Sequence, residues 1–202
     1  MIEQTIRPYY QALLVDRSAI WLQQRVSPNT VTLLSGLFGL LILPALWLNY
    51  SVLAIALLLL SGYFDTLDGT LARLTQRTSA WGSVLDIMMD RLVELMVVFA
   101  LWGIDPSSRG IGCLIMLSSM LLCISSFLVV GIFTENSSHK SFHYSPGIME
   151  RAEAFLFFIA MIIWPNIFTV LAVAFSILVT LTAIVRLYQF YSQTEGNPNA
   201  TH

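Results

Sequence analysis

The chain has 202 residues, a length that fits one domain. Hydrophobic residues make up 56% of the sequence and charged residues only 11%, whereas soluble domains carry about 25% charged residues. This composition excludes an ordinary soluble domain and predicts an integral membrane protein. The formal net charge of −2 gives no basis for a nucleic-acid partner, and we expect none. Cys113 and Cys123 lie in one apolar segment, where we expect small core residues rather than a disulfide or a metal site.

We expect no secretory signal in the first 26 residues, because they are mixed in polarity and contain no continuous apolar segment. Within residues 2–25, apolar side chains recur at helical spacing among arginines and glutamines. This pattern predicts an amphipathic helix that is too polar to span a bilayer. We expect it to lie in the headgroup region, with Trp and Tyr side chains at the interface. A soluble helix packed on the cytoplasmic face of the protein is the alternative.

Six apolar segments follow, each close to the roughly 20 residues that a membrane-spanning helix requires. Ser27 can cap the first of these helices, and Pro28 fits its first position. The segments are residues 31–48, 52 to beyond 68, 80–101, 111–133, 148–164 and 167–188. The sequence therefore predicts an all-α fold, a six-transmembrane-helix bundle preceded by an amphipathic interfacial helix. The predicted parts are the amphipathic juxtamembrane helix (1–26), the six-helix transmembrane bundle (27–191) and a polar tail (192–202).

The basic residues predict the orientation in the membrane. Six spans place both termini on one side, and only Arg109 falls on the opposite side. The basic residues at or near the side of the termini are Arg7, Arg17, Arg25, Arg73, Arg77, Lys140, Arg151 and Arg186. Because cytoplasmic loops carry an excess of Lys and Arg, we expect both termini to be cytoplasmic, in the cell (inner) membrane.

Four aspartates lie within the second and third apolar segments. Asp65 and Asp68 are three residues apart and Asp86 and Asp90 four apart, so each pair shares one face of a helix. The 17 residues between Asp68 and Asp86 suffice to end one helix, turn and begin an antiparallel partner. We therefore expect the two pairs to face each other near the cytoplasmic surface.

Four carboxylates in an apolar protein require compensation, since one charged side chain at the bilayer centre costs about 2.5–3.5 kcal/mol on insertion scales. Divalent cations can supply it, because carboxylate oxygens are hard ligands suited to Mg²⁺ or Mn²⁺. Mg²⁺ usually keeps open positions for substrate phosphates, which predicts a diphosphate ligand. Gly69, Ala72 and Gly82 border the acidic face and would open a groove for a flat or extended ligand. Helix–helix packing is the alternative explanation for these small residues.

The segment from Asp65 to Asp90 has the pattern D-x2-D-G-x2-A-R-x8-G-x3-D-x3-D. It resembles the signature of the integral-membrane CDP-alcohol phosphotransferase (CDP-alcohol phosphatidyltransferase) family, class I, at every fixed position. Those positions are Asp65, Asp68, Gly69, Ala72, Arg73, Gly82, Asp86 and Asp90. Six spans after an amphipathic helix also look like the family architecture. The Pro28-Asn29 pair is similar to a family Pro-Asn pair that lies near the nucleotide.

The resemblance implies transfer of a phosphatidyl group from CDP-diacylglycerol to the hydroxyl of a small polar alcohol, with release of CMP. It implies that two divalent ions, Mg²⁺ or Mn²⁺, are held by Asp65, Asp68, Asp86 and Asp90. Asp90 would also act as general base on the acceptor hydroxyl. Nucleotide-binding roles are implied for Asn29, Asp68, Gly69, Ala72, Arg73 and Gly82, although Arg73 could equally be a snorkelling cation. Membrane lipids and a second copy of the chain, in a homodimer, are the other implied partners.

The acceptor is less well defined. Family members that use a phosphorylated acceptor typically carry a cation on the fourth span, and the stretch SSFLVVGIFTE has none. Arg151 and Arg186 nevertheless resemble basic positions that bind acceptor phosphate, and Lys140 lies in a Ser-His-Lys segment similar to one in synthases that use free inositol. We assign these three residues to the acceptor and expect a polyol such as inositol, inositol phosphate or glycerol 3-phosphate. Alternatively, Arg186 anchors the helix at the membrane surface, and Arg151 pairs with Glu150, Glu153 or Glu94.

Three other functions remain as alternatives. Serine or another amino alcohol could be the acceptor in the same chemistry. A cation transporter would also contain intramembrane acids, but here the acids cluster at one surface and the sequence shows no inverted repeat. A non-catalytic descendant of the family would be expected to have lost a motif aspartate, and none is lost.

Overall fold

The computed structural model describes residues 10–135 and 148–195, and every regular element in these ranges is helical. The seven α-helices are α1 (Asp16–Leu22), α2 (Pro28–Trp47), α3 (Ser51–Leu74), α4 (Ala80–Ile104), α5 (Pro106–Glu135), α6 (Arg151–Ile163) and α7 (Phe168–Glu195). A π-helical segment, Gln11–Val15, leads into α1, and a short 3₁₀ turn, Pro165–Ile167, leads into α7. The all-α prediction is confirmed for the described residues.

Capping side chains explain where two of the helices begin. Ser27 Oγ accepts a hydrogen bond from the Thr30 N–H at 3.2 Å, and Pro28 is the first residue of α2. The predicted cap is therefore confirmed. Ser27 satisfies a free N–H of the first turn, and Pro28 has no N–H that would need a partner. Ser79 caps α4 in the same way, accepting a hydrogen bond from the Gly82 N–H at 3.0 Å.

The turn between α4 and α5 differs from the prediction. The sequence places the fourth span at 111–133, but α5 already begins at Pro106, and only Asp105 separates it from α4. Asp105 Oδ1 accepts hydrogen bonds from the Ser107 hydroxyl at 2.8 Å and from the Ser108 N–H at 3.1 Å. This cap, followed by proline, lets polar residues start the helix where a loop was expected. Similarly, α7 continues beyond residue 188 to Glu195, so the predicted polar tail begins as helix.

Glycines on α2 allow close contact with α4. A Cβ atom at Gly36 would overlap the Sδ atom of Met89, and one at Gly39 would overlap the side chain of Val93. Small residues at such positions let two membrane helices approach closely. As a result α2 packs extensively against both α3 and α4, and this three-helix group carries all four motif aspartates.

The remaining helices complete the bundle. α5 packs mainly against α7, and α6 contacts α3, α4 and α7. Phe158 of α6 and Phe175 of α7 are almost completely buried, with ring centroids 5.5 Å apart. The segment before α6 is fixed to α7, because the Met149 N–H donates to the Thr182 hydroxyl at 2.9 Å. One continuous apolar core therefore connects the α2–α4 group with α5, α6 and α7.

The N-terminal helix α1 packs against α3. Its buried face forms a second small core, whose fully buried members are Val15, Ala19, Val31, Leu67 and Leu71. Ile20 and Trp21 on the other face are 58% and 62% exposed. One face of α1 is thus covered by protein. Its location in a membrane interface stays a prediction. The predicted helix at residues 2–9 lies outside the described residues.

Four of the described helices, α2, α3, α5 and α7, are long and apolar enough to cross a membrane. The chain is therefore a multi-pass membrane protein by length and composition. α6 has 13 residues, or about 20 Å at 1.5 Å per residue, which is shorter than a hydrocarbon core of about 30 Å. α4 has 25 residues but carries Asp86, Asp90, Arg91 and Glu94. The prediction of six spans thus includes α4 and α6, and only the other four spans are supported by length and composition.

Candidate active site

Two helices supply the motif aspartates, with Asp65 and Asp68 on α3 and Asp86 and Asp90 on α4. One carboxylate oxygen from each of Asp65, Asp68 and Asp86 lies within 4.8 Å of the other two. Asp68 is buried, whereas Asp65 and Asp86 are half-buried. The three residues form a carboxylate triad that could hold a cation.

The chemistry of this triad fits a divalent metal ion. Asp68 Oδ2 is buried and has no hydrogen-bond partner within the described parts of the chain. Leaving a buried carboxylate oxygen without a partner costs free energy, and a cation at this position would remove that cost. Three carboxylates supply the oxygen ligands that Mg²⁺ and Mn²⁺ prefer. Asp65, Asp68 and Asp86 are therefore the residues that would hold such an ion.

Asp90 lies outside the triad and binds an arginine. Its Oδ1 atom accepts a hydrogen bond from Nη1 of Arg151, and the same Nη1 atom lies 2.5 Å from Oδ1 of Asp65. Arg151 is the first residue of α6, so a third helix connects the two carboxylate pairs. The sequence suggested three glutamates as alternative partners of Arg151, and it did not suggest the motif aspartates.

A cavity of about 420 Å³ adjoins the carboxylates. Asp65, Asp86 and Asp90 form part of its wall, and Arg151 and Arg186 also line it. Apolar side chains from α5 and α7 cover much of the remaining wall, including Met120, Phe127 and Phe175. Glu94, one turn beyond Asp90, and Arg91 line the cavity as an ion pair 2.5 Å apart. The cavity thus places several fixed charges of both signs next to the triad.

Arg186 of α7 is held inside the bundle by α5. Its Nη1 atom donates to the Cys123 carbonyl at 3.1 Å and to the Ser126 hydroxyl at 3.2 Å. Its guanidinium carbon lies 5.2 Å from the ring centroid of Phe127. The structure therefore brings Arg186 and Arg151 into one cavity. Lys140, the third predicted acceptor residue, lies outside the described residues, and its role stays a prediction.

Two motif glycines differ from the glycines that pack α2 against α4. A Cβ atom at Gly82 would lie 3.2 Å from Ser79 Oγ and 3.4 Å from Asn29 Oδ1. At Gly69 the nearest atom would be Nη1 of Arg73, at 3.4 Å. In both cases the added Cβ would meet only the ends of polar side chains, at 3.2 Å or more, and not the packed apolar core, which favours the groove interpretation over helix packing.

The predicted nucleotide residues fall on three helices. Asn29 begins α2 and lies next to Gly82 on α4, while Gly69, Ala72 and Arg73 follow Asp68 on α3. The guanidinium of Arg73 donates to the Thr70 hydroxyl at 3.2 Å, and the Arg73 residue is exposed. This arrangement leaves Arg73 at the protein surface beside the triad. Its contact with a ligand stays a prediction.

Sequence reasoning missed Tyr10 and Thr32. Thr32 is buried on α2 close to Asp68 of α3, and its hydroxyl donates to the Pro28 carbonyl at 3.2 Å. Burial, together with the neighbouring Tyr63 and Asp65, raises the pKa of the Tyr10 phenol, which is therefore neutral at physiological pH. Both residues reach the site from elements distant in sequence, and no local motif marks them.

Comparisons with known proteins agree with the motif. The model of the family described as CDP-alcohol phosphatidyltransferase matches residues 25–185. The inner membrane protein YnjF of Escherichia coli (strain K12) is 29% identical over 198 residues, which cover 95% of this chain and 96% of that protein. The archaetidylinositol phosphate synthase of Aeropyrum pernix is 33% identical, over 90% of this chain and 92% of the synthase.

Solved structures show the same fold. The phosphatidylinositol phosphate synthase of Mycobacterium tuberculosis with CDP-DAG bound superimposes with a TM-score of 0.73 at 21% identity, covering 94% of this chain and 97% of the synthase. A second structure of that synthase is in complex with manganese and citrate. The family resemblance inferred from the signature is confirmed, because the family model covers most of the chain. The chain belongs to the CDP-alcohol phosphatidyltransferase family and is a CDP-alcohol phosphotransferase.

Proposed function

We propose that this enzyme transfers a phosphatidyl group from CDP-diacylglycerol to a hydroxyl of a phosphorylated polyol, with inositol phosphate as its acceptor. The observation that carries the proposal is the position of Arg151 and Arg186 in one cavity beside the motif aspartates. Arginine binds phosphate through paired N–H donors, so two arginines suit a phosphorylated acceptor better than serine. Relatives named for the synthesis of inositol phosphate lipids support this choice.

The donor would occupy the groove beside Asn29, Gly69 and Gly82, with its diphosphate at the triad. Two Mg²⁺ or Mn²⁺ ions, when bound, would neutralise the diphosphate oxygens. The acceptor oxygen forms a bond to the phosphorus that carries the diacylglycerol, and the bond from this phosphorus to the CMP oxygen breaks. Asp90 takes the proton of the acceptor hydroxyl, which requires that its carboxylate be free of Arg151 at that moment. We assign Asp90 to the metal site as well, as the signature implies.

We further propose six spans with both termini and the active site on the cytoplasmic side, in the inner membrane. Charges on membrane helices usually face the bundle interior or a water-filled cavity, and Asp86, Asp90, Arg91 and Glu94 all line the cavity. This position makes α4 acceptable as a span despite its charge. We assign residues 27–191 to the catalytic bundle and propose a homodimer on the basis of the family resemblance.

An acceptor panel tests the assignment. Purified protein is incubated with CDP-diacylglycerol, Mn²⁺ and one of inositol phosphate, inositol, glycerol 3-phosphate or serine, and the CMP and lipid products are quantified. We expect the highest kcat/KM with inositol phosphate. We also expect Arg186→Gln to raise the KM for inositol phosphate by about tenfold or more, without changing the KM for CDP-diacylglycerol. Arg17→Gln, at an exposed position on α1, is the control. Activity with serine alone would contradict the proposal.

A further inference from the structure

We infer that Arg151 is the resident counter-ion of the carboxylate site, and that a divalent metal ion must displace it from Asp65. Displacement would free the guanidinium for the acceptor in the adjoining cavity. Arg151 would then be an acceptor-binding residue that couples metal binding to acceptor binding. The inference rests on the proposed function for the identity of the metal and the acceptor.

The first support is that Asp65 has two sets of neighbours. It contributes an oxygen to the triad with Asp68 and Asp86, and its Oδ1 atom is 2.5 Å from Nη1 of Arg151. The same Nη1 atom bonds Asp90. One guanidinium nitrogen thus joins a carboxylate of each motif pair, in the space between α3 and α4 that the metal-binding proposal also requires.

The second support is electrostatic. A buried charge without a partner is strongly destabilising, so a positive charge beside several close carboxylates stabilises their ionised form when no metal is bound. Arg151 supplies that charge from inside the fold. A guanidinium and a divalent ion at the same carboxylates repel each other, and each therefore weakens the binding of the other.

The third support is that Arg151 has an alternative location. Its Nη2 atom is buried and has no hydrogen-bond partner in the described residues, and its guanidinium carbon lies 5.2 Å from the ring centroid of Phe155. Arg151 lines the same cavity as Arg186, where an anion would pair with both guanidinium groups. The backbone next to Arg151 is fixed by the hydrogen bond between Met149 and Thr182. Rotation of the side chain would therefore be sufficient.

Coupling of this kind is reciprocal. If metal releases Arg151 for an anionic acceptor, then the anion, by holding Arg151 away from Asp65, strengthens metal binding by the same factor. The carboxylate that acts as base, Asp90, would also lose its arginine partner only when the metal is present. Proton transfer would thus be confined to the loaded site.

The test measures Mn²⁺ affinity of the purified protein without nucleotide or acceptor, by electron paramagnetic resonance of free Mn²⁺. We expect Arg151→Gln to bind Mn²⁺ about tenfold tighter than wild type, within the range typical of coupled sites. Arg186→Gln is the matched control, because it removes a positive charge from the same cavity, and Arg186 donates its hydrogen bonds to Cys123 and Ser126 of α5 rather than to the carboxylates of α3 and α4. It should bind Mn²⁺ like wild type. Equal or weaker binding by Arg151→Gln, or equal tightening by both variants, would overturn the inference.

Arg151→Lys keeps the test decisive if the glutamine variant does not fold. Lysine retains the charge but lacks the guanidinium fork, so it is a weaker partner for two carboxylates. We expect its Mn²⁺ affinity to exceed that of wild type by a smaller factor than in Arg151→Gln, and an unchanged affinity would count against the inference. CMP release is a separate readout. If inositol phosphate is not the acceptor, the Mn²⁺ affinities still test the inference about Arg151. If Arg151→Gln leaves Mn²⁺ affinity unchanged, CMP release still tests the proposed function.

Discussion

Asp68 differs from the other motif aspartates in how completely the protein encloses it. It is 5% exposed, and one of its carboxylate oxygens has no hydrogen-bond partner among the described residues. Asp65 and Asp90, by contrast, share Arg151. The charge of Asp68 therefore lowers the stability of the metal-free protein. We attribute its presence to the cation that it would bind.

This difference predicts opposite effects of Asp68→Asn on stability and metal binding. Replacing an uncompensated buried carboxylate by an amide should stabilise the metal-free protein by about 1–3 kcal/mol, because the neutral group costs less to bury. The same change should weaken Mn²⁺ binding by about 100-fold or more, because a neutral amide replaces an anionic ligand, and even the loss of an outer-shell partner costs about 10–100-fold. Thermal unfolding with and without Mn²⁺ measures both effects.

Asp105→Asn provides the matched comparison for that experiment. Asp105 is an exposed residue that caps α5 at the end of the bundle where Arg109 lies. We expect this substitution to leave Mn²⁺ binding unchanged. A metal-free Asp68→Asn protein that unfolds at a lower temperature than wild type would show that the carboxylate is compensated by the fold.

At the level of helices, local signals predicted the elements well and contacts between elements poorly. Ser27 and Pro28 marked the start of α2, and the apolar segments located each later helix with starts within five residues and ends within seven. Asp105 and Pro106 are a local signal for a helix start, but the prediction from apolar segments does not use it and therefore begins the fourth span five residues late. These features are local, so a single sequence contains them.

The partners of Arg151 could not be predicted in this way. The ion pair joins α6 to α3 and α4, and residues from three helices meet only when the bundle is packed. Thr32 beside Asp68 depends on the same packing. The aspartate signature was readable because its spacing is set within two consecutive helices, whereas the cavity combines residues from five helices.

Two glycine substitutions separate helix packing from ligand space. Gly39→Leu should destabilise the protein by about 1–3 kcal/mol, because a side chain there overlaps Val93 on α4. Gly82→Leu should leave the unfolding temperature close to that of wild type and raise the KM for CDP-diacylglycerol by about tenfold or more. Thermal unfolding measures the stability of both variants, and steady-state kinetics measure their KM for CDP-diacylglycerol. Equal destabilisation by the two substitutions would mean that Gly82 is also a packing residue.

For the whole molecule, the proposed orientation depends on which turns face the cytoplasm. The turn between α3 and α4 and the turn between α4 and α5 lie at opposite ends of α4. Arg73 and Arg77 lie at the first turn, and Arg109 follows the second. The positive-inside rule therefore predicts that the first turn, and with it the carboxylate triad, faces the cytoplasm.

Cysteine labelling in intact cells tests this orientation. Cys113 and Cys123 are first replaced by alanine, and a single cysteine is then introduced by Thr78→Cys or by Ser108→Cys, both at exposed positions. A membrane-impermeant maleimide should label Ser108→Cys in intact cells and Thr78→Cys only after permeabilisation. The reverse pattern would place the triad on the outer side, away from cytoplasmic substrates.

The most direct test of the proposed chemistry is CMP release from CDP-diacylglycerol by wild type and Asp90→Asn, each with Mn²⁺ and inositol phosphate. We expect wild type to release CMP only when metal and acceptor are both present, with one molecule of phosphatidyl product formed for each CMP. Asp90→Asn should lose at least about 100-fold in kcat, the lower range for loss of a general base. Equal rates for the two proteins, or CMP release that needs neither metal nor acceptor, would contradict the assignment of this carboxylate site.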